Sequence, residues 1–183
     1  MTSRMTSLSG NRRVSKTHGR IAFRGVIDTL EAEVIEAQVL AFQTKDGASS
    51  GGLELCGSLG EILEYLRAVM SAEVKETPLP PPFLFGMDAE EIRRQSHDTE
   101  AIFGLAQPLP AYTQGPLAAR LNTLRAKVRE AELLAVRVFG AAADASEAEE
   151  PHQTPREDII LALNRLSSAL WWLFCKYLSG RKP

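Results

Sequence analysis

The sequence predicts an all-α protein folded as an up-and-down five-helix bundle, and three observations carry that expectation. Apolar residues recur with a 3.6-residue period through long segments. Alternation of the strand kind is nearly absent. The segments between periodic stretches are mostly short and rich in Gly, Pro, Ser and Asp. Helices that each carry one apolar stripe bury it most simply by packing antiparallel around a shared core.

The first helix is expected from about Ile21 to Phe42, where Lys45, Asp46 and the glycines of GASSGG stop it. Ser58, with Glu61 three residues on, makes a capping-box pattern ahead of LGEILEYLRAVMSAEV, a helix that the prolines of LPPP must end. A third, shorter and more polar helix begins near Asp88, whose carboxylate can cap MDAEEIRRQ, and fades toward Phe103. The connector QPLPAYTQGP leads into a fourth, from Leu117 to about Ala142. The acidic loop DASEAEEPHQ separates it from the last helix, which Thr154 opens as N-cap with Pro155 at N1. Residues 1–19 are expected to form an N-terminal segment, partly flexible, ahead of a single bundle domain over 20–180.

With 183 residues, 44% of them hydrophobic, the chain can bury one proper core. A balance of 21 basic against 23 acidic residues leaves no polybasic footprint, so nucleic acid is not an expected partner. Nor is a membrane. The stretch MTSRMTSLSGNRRVSKTHGR lacks the apolar core of a secretion signal. The most apolar segment, Ile159 to Leu178, is interrupted by Asn164, Arg165, two serines and Lys176. Cys56 and Cys175 lack the short spacing of a zinc or redox motif, which fits a reducing cytoplasm. His18, His97 and His152 fall in loops or at helix ends, and no Ser-His-Asp or Cys-His arrangement is visible.

The charges of LRAKVREAELLAVRVF fall in two kinds of place. Lys127, Glu130 and Arg137 share a solvated side. Arg125, Arg129 and Glu132 fall within roughly 60° of one another, in a sector shared with Leu121, Val128, Val136 and Phe139, and are expected to face inward. A buried charge is costly unless paired or met by a charged ligand. An internal salt bridge such as Arg129 to Glu132 is one reading; a polyanion matched by two guanidinium forks is the other. On the first helix Asp28 falls between Ile21, Ile35, Val39 and Phe42, with Arg24 one turn earlier as a local partner and Arg125 or Arg129 as cross-helix candidates. On the last, Asn164 aligns with Ile160, Ser168, Trp171 and Cys175, a buried amide that sets register or serves a hydroxyl, a phosphate or a hydrated cation. Arg165 beside it reads as solvated or interfacial, and Leu134 and Trp172, off their stripes, suit a subunit contact.

Three segments, in order, resemble the ATP:corrinoid adenosyltransferases. SKTHGRIAFRGVIDTLE is similar to the family's S-K-D-D-x-R-x-x-A-Y-G-x-x-D-E-L-N, RAKVREAEL to R-x-x-C-R-R-A-E-R, and LALNRLSSAL to its N-R-L-S-D helix. LNTLRAKVREAELLAVRVF looks most like the ethanolamine-utilisation branch, and the likeness runs from about Val14 to Leu178. It implies a five-helix bundle that moves the 5'-deoxyadenosyl group of ATP onto cob(I)alamin, with Mg²⁺ on the triphosphate. It also implies that Arg125 pairs with Asp28 on the corrinoid side, that Arg129, Glu132 and Asn164 belong to the nucleotide and metal environment, and that Lys16 and Arg20 approach the phosphates. A homotrimer with sites between subunits, or a dimer, is implied as well, in the cytoplasm or inside a bacterial microcompartment. Three departures stand out. SLSGNRRVSK replaces the phosphate loop T-K-T-G-D-x-G-x-T. No His- and Cys-rich segment precedes it, so no such metal site is expected. The connector PLPAYTQGP lacks the phenylalanine that displaces the lower corrin ligand, leaving Tyr112, Phe83 or Phe85 as candidates. The first departure keeps open a bundle that binds corrinoid or nucleotide without turnover, as a chaperone or sensor; a purely structural helical adaptor, with no ligand, is the third reading.

Overall fold

A computed structural model describes residues 4–43, 50–106, 108–140 and 155–180. The elements in order are β1 (Met5–Ser9), β2 (Arg12–Ser15), α1 (Gly19–Gln43), α2 (Ser50–Lys75), α3 (Ala89–His97), α4 (Thr99–Phe103), a 3-10 turn at Tyr112–Gln114, α5 (Pro116–Phe139) and α6 (Glu157–Ser179).

The four long helices form a square in which α1 neighbours α2 and α5, and α6 neighbours the same two. Each neighbouring pair runs antiparallel. Arg20 near the start of α1 meets Glu73 near the end of α2. Gly19 lies against Val138 at the end of α5. Asp158 at the start of α6 accepts from Leu79 N–H just past α2, while Lys176 at its far end pairs with Glu54. The short α3 lies on the outside of α6 and runs with it, since Glu90 meets Arg165 and Gln95 accepts from the Trp172 indole. The chain therefore goes up and down as its periodicity predicts. The core is built from stripes such as Phe23, Ile27, Leu30 and Val34 on α1 and Leu121, Leu124 and Val128 on α5, all buried.

Local signals hold where nothing larger competes. Asp88 caps α3, its Oδ1 accepting from the N–H groups of Glu90 at 3.1 Å and Glu91 at 2.8 Å. The third helix does not run unbroken to Phe103: it breaks at Asp98, whose side chain caps α4, and ends at Gly104 in the left-handed region. Ser58 and Glu61 do not start α2, which begins at Ser50. Burying Leu55 and Leu59 against the core extends the helix backward despite its glycines, each of which costs about 1 kcal/mol relative to Ala. Pro155 lies one position before the N-cap, Arg156, rather than at N1, and Thr154 lies outside the described residues. Arg156 ties that start to α2, bonding the carbonyls of Ala72 and Thr77 while pairing with Asp158.

The hairpin is the one element that the periodicity misses. β1 and β2 pair antiparallel, Thr6 opposite Val14, around a bulge and a turn at Gly10 with φ 49°. Only Leu8 and Val14 are buried in it, too few apolar positions to register as an alternating pattern. One helix, Glu157–Ser179, is long and apolar enough to cross a membrane, but 67% of its most apolar window is buried inside the bundle. It is the core helix, as its inward leucines require.

Candidate active site

The inward-facing charges of the sequence reading are not inside the bundle. Asp28 and Arg129 are exposed, and Arg125, Glu132 and Asn164 are half-buried. Their sector on each helix borders the core stripe, and long side chains at such a border reach out to solvent. Nor does Asp28 sit among buried neighbours: Ile35, Val39 and Phe42 are 44%, 49% and 66% exposed. No bond joins Asp28 to Arg125 within the chain, and Arg129 makes no bridge to Glu132.

What the structure does bring together is a polar strip along the outer groove between α5 and α6. At one end the Arg125 guanidinium donates to Asn122 Oδ1 through Nε at 3.2 Å and Nη2 at 3.1 Å. It also lies over the Trp171 ring, 5.5 Å from the centroid. At the other end Asn164 donates from Nδ2 to Glu132 Oε1 at 2.8 Å. The amide carbonyl of Asn164 accepts from Arg165 Nη1 at 2.8 Å, and Arg165 Nη2 continues to Glu90 at 3.3 Å. Arg165 is thus not solvated: it is buried under α3 and fixes which way the Asn164 amide faces. Arg129 is exposed one turn after Arg125.

The electrostatics of this strip are unbalanced. Burial, and next to it the neighbouring Arg129 charge, hold the Arg125 pKa below the ordinary arginine value, though it remains a cation at neutral pH. Among the described residues neither Arg125 nor Arg129 has a carboxylate within ion-pairing distance, and Glu132 engages only its Oε1. Two guanidinium groups one turn apart repel each other, so the arrangement favours an anion with several oxygens.

The remaining expected residues lie elsewhere. Lys16 is exposed between the hairpin and α1. Arg20 is buried and unavailable to phosphates: its Nε pairs with Glu73, its Nη1 with Glu76 at 2.6 Å, and its Nη2 with the Glu73 carbonyl at 2.8 Å. The long side chain thus caps the end of α2, where Glu76 adopts φ 55° and its N–H shares the same Glu73 carbonyl at 3.3 Å. Tyr112 is 92% exposed, directly before α5. Phe83 is exposed as well, whereas Phe85 stacks on Trp172 at 5.2 Å. That stack, with Phe103 edge-on, buries Trp172 inside one chain, and Leu134 likewise packs against the core. Trp172 is thus covered within its own chain, whereas Leu134 is only partly so. Sequence reasoning missed Asn122 and the pairing role of Trp171, although three-residue spacing before Arg125 and alignment with Asn164 pointed to each. Among the described residues no group of three or more His, Cys, Asp and Glu side chains converges.

An antiparallel helical bundle with an arginine pair, an amide and a carboxylate along one outer face is the class of protein that fold and strip define. The chain belongs to the cobalamin adenosyltransferase family, whose model matches residues 3–177. It is 29% identical over 167 residues to the corrinoid adenosyltransferase EutT of Salmonella typhimurium, and 30% identical over the same length to EutT of Escherichia coli. Each alignment covers 91% of this chain and 56% of the relative, so the chain spans little more than half the length of these proteins. The fold is also that of a PduO-type ATP:corrinoid adenosyltransferase variant from Lactobacillus reuteri, solved with cobalamin and ATP. That likeness has a TM-score of 0.69 at 17% identity and covers 98% of this chain and 92% of the other.

Proposed function

We propose that this protein transfers the 5'-deoxyadenosyl group of ATP to cob(I)alamin, yielding adenosylcobalamin and triphosphate. The observation that carries the reading is the pair Arg125 and Arg129, two cations on one groove without a carboxylate between them. In the reaction the reduced cobalt supplies the electron pair that forms the cobalt–carbon bond, and the bond from C5' to the triphosphate oxygen breaks with its pair leaving on oxygen. No protein nucleophile or base is needed. The chain has to orient the reactants, neutralise the leaving charge and exclude water. Arg129 and Arg125 suit the departing charge, and the Asn164 amide, held by Arg165, suits the nucleotide. The free oxygen of Glu132 is a hard ligand of the kind Mg²⁺ takes while it rides on the triphosphate.

The exposed faces support assembly between copies. On α1, Glu33 and Glu36 turn to α5 while Glu31 turns to α2, which leaves Asp28, Ile35 and Val39 outward on the α2 side. On α5, Arg125, Arg129 and Val136 are outward on the α6 side. In a square where α1–α2 and α5–α6 are opposite edges, Asp28 of one copy can meet Arg125 only of another. Such a contact is heterologous and closes into a ring, for which a trimer is the reading adopted here. Tyr112 or Phe83 would face the lower side of the corrin. The chemistry suits a B12-dependent diol or ethanolamine pathway in the cytoplasm or a bacterial microcompartment.

A second reading, a bundle that binds corrinoid or nucleotide without turnover, is favoured by one observation: a hairpin bearing SLSGNRRVSK stands where the family has its phosphate loop. The test is to incubate the protein with ATP, Mg²⁺ and chemically reduced cobalamin and to follow the loss of cob(I)alamin absorbance. A light-sensitive alkyl product, abolished by Arg129→Ala, supports the transferase. Ligand-induced melting shifts without product support the second reading, and silence in both assays removes both.

A further inference from the structure

Glu73 is fully buried at the end of α2, an unusual place for a carboxylate unless both oxygens are met. They are met by two different arginines of α1. Arg20 Nε takes Oε1, and Arg24 Nε takes Oε2 at 2.5 Å. Arg24 then extends past the carboxylate and donates from Nη1 to the main-chain carbonyl of Leu8, in β1, at 2.7 Å. Its remaining nitrogen, Nη2, is buried without a partner. A buried donor left unmet weakens the fold, so pairing Glu73 is not by itself the reason for a full guanidinium here. What the arginine adds is a fixed direction. It connects the core of the bundle to the backbone of the hairpin, which also buries the Leu8 and Val14 side chains and brings the Arg12 charge near Glu76. Past those anchors the hairpin carries Arg12, Arg13 and Lys16, all exposed, at the place where the family's phosphate loop is replaced.

We infer that Glu73 and Arg24 are positioning residues: a buried carboxylate aims the Arg24 guanidinium at Leu8, and so fixes the basic hairpin against the bundle as the nucleotide-phosphate arm of this chain. The loop of the usual pattern holds phosphate with its own turn-forming glycines. Here a two-stranded arm with one turn glycine must instead be held in place by side chains from α1 and α2. This rests on the transferase reading for its functional half, while its structural half is independent of any activity.

The test uses the full chain with Arg24→Met, which keeps the volume, Arg24→Lys, which can keep the ion pair but not also the bond to Leu8, and Glu73→Gln. Two quantities are read: the rate of tryptic cleavage at Arg12, Arg13 and Lys16 under native conditions, and the separate KM values for ATP and for corrinoid. Arg24→Met, which removes both the bond to Leu8 and the pair with Glu73, should speed hairpin cleavage by at least about tenfold and raise the ATP KM similarly with the corrinoid KM unchanged. Arg24→Lys should fall between. Glu73→Gln should reproduce both effects if it folds, and Arg24→Met decides the matter if it does not. Saturating ATP should slow cleavage of the wild-type hairpin. Unchanged cleavage in Arg24→Met overturns the clamp. Faster cleavage with an unchanged ATP KM, or with no ATP protection, overturns the role in nucleotide placement and leaves the transferase reading standing. Wild-type protein that is protected by ATP but makes no product supports the clamp and refutes turnover alone.

Discussion

Replacing Asn164 by aspartate sets two carboxylates against each other at a defined distance. The wild-type amide donates to Glu132 Oε1 at 2.8 Å and accepts from Arg165 at 2.8 Å. Asn164→Asp keeps the second bond and turns the first into a repulsion. Two like charges centred about 4 Å apart at an effective dielectric near 20 repel by about 4 kcal/mol. Water reaching this half-buried pair, and Arg165 on its far side, reduce that to about 2 kcal/mol. The pair then keeps one proton above the ordinary carboxylate range. A folded pKa raised above the unfolded one means that the variant is spared below the unfolded value, near pH 4, and loses stability as pH climbs through the raised value. Thermal melts of variant and wild type near pH 4 and at pH 8 measure this directly. The deficit should be small near pH 4 and grow by pH 8, by several degrees for a chain of this size. Turnover should follow the same trend, because a shared proton restores the bond to Glu132. A deficit equal at both pH values would refute the contact between these two side chains.

Trp171→Leu removes the ring beneath Arg125 while keeping bulk, and should lower kcat/KM two- to fivefold, matching the ~0.5–1 kcal/mol of a half-exposed cation–π contact. Steady-state kinetics with ATP and corrinoid varied in turn check it. Val39→Asp places a charge in the exposed α1 stripe and should shift the assembly toward monomer in sedimentation velocity, with far-UV circular dichroism unchanged. Burial pushes the Cys175 thiol up to about 12 and raises that of Cys56 less far, so native protein at pH 8 should label with a thiol reagent slowly and at Cys56 alone. Both should react on unfolding, as intact-mass spectrometry would show. Phe23→Ala empties a fully buried site that meets Phe139 edge-on at 5.0 Å, and should cost about 3–5 kcal/mol in urea unfolding.

The sequence by itself determined the number, type and order of the long helices, because each must bury a stripe repeating every 3.6 residues. The family resemblance, not periodicity, implied one environment for Glu132 and Asn164, and the structure joins the two by a hydrogen bond. The sequence could not decide which side of a stripe's border a charge takes. Periodicity gives an angle about a helix's own axis, whereas burial depends on which neighbours close over that angle. Asp28 and Arg129 lie at open edges, while Arg165, read as solvated or interfacial, is covered by α3. The same limit hid the joint between α2, α1 and the hairpin. Glu73 lies 53 residues from Arg20 and 49 from Arg24, and no local pattern announces that a carboxylate will meet two guanidinium groups across such separations. Only the packing of α2 against α1 brings them together, since excluding water from that corner leaves each charge no partner but the other.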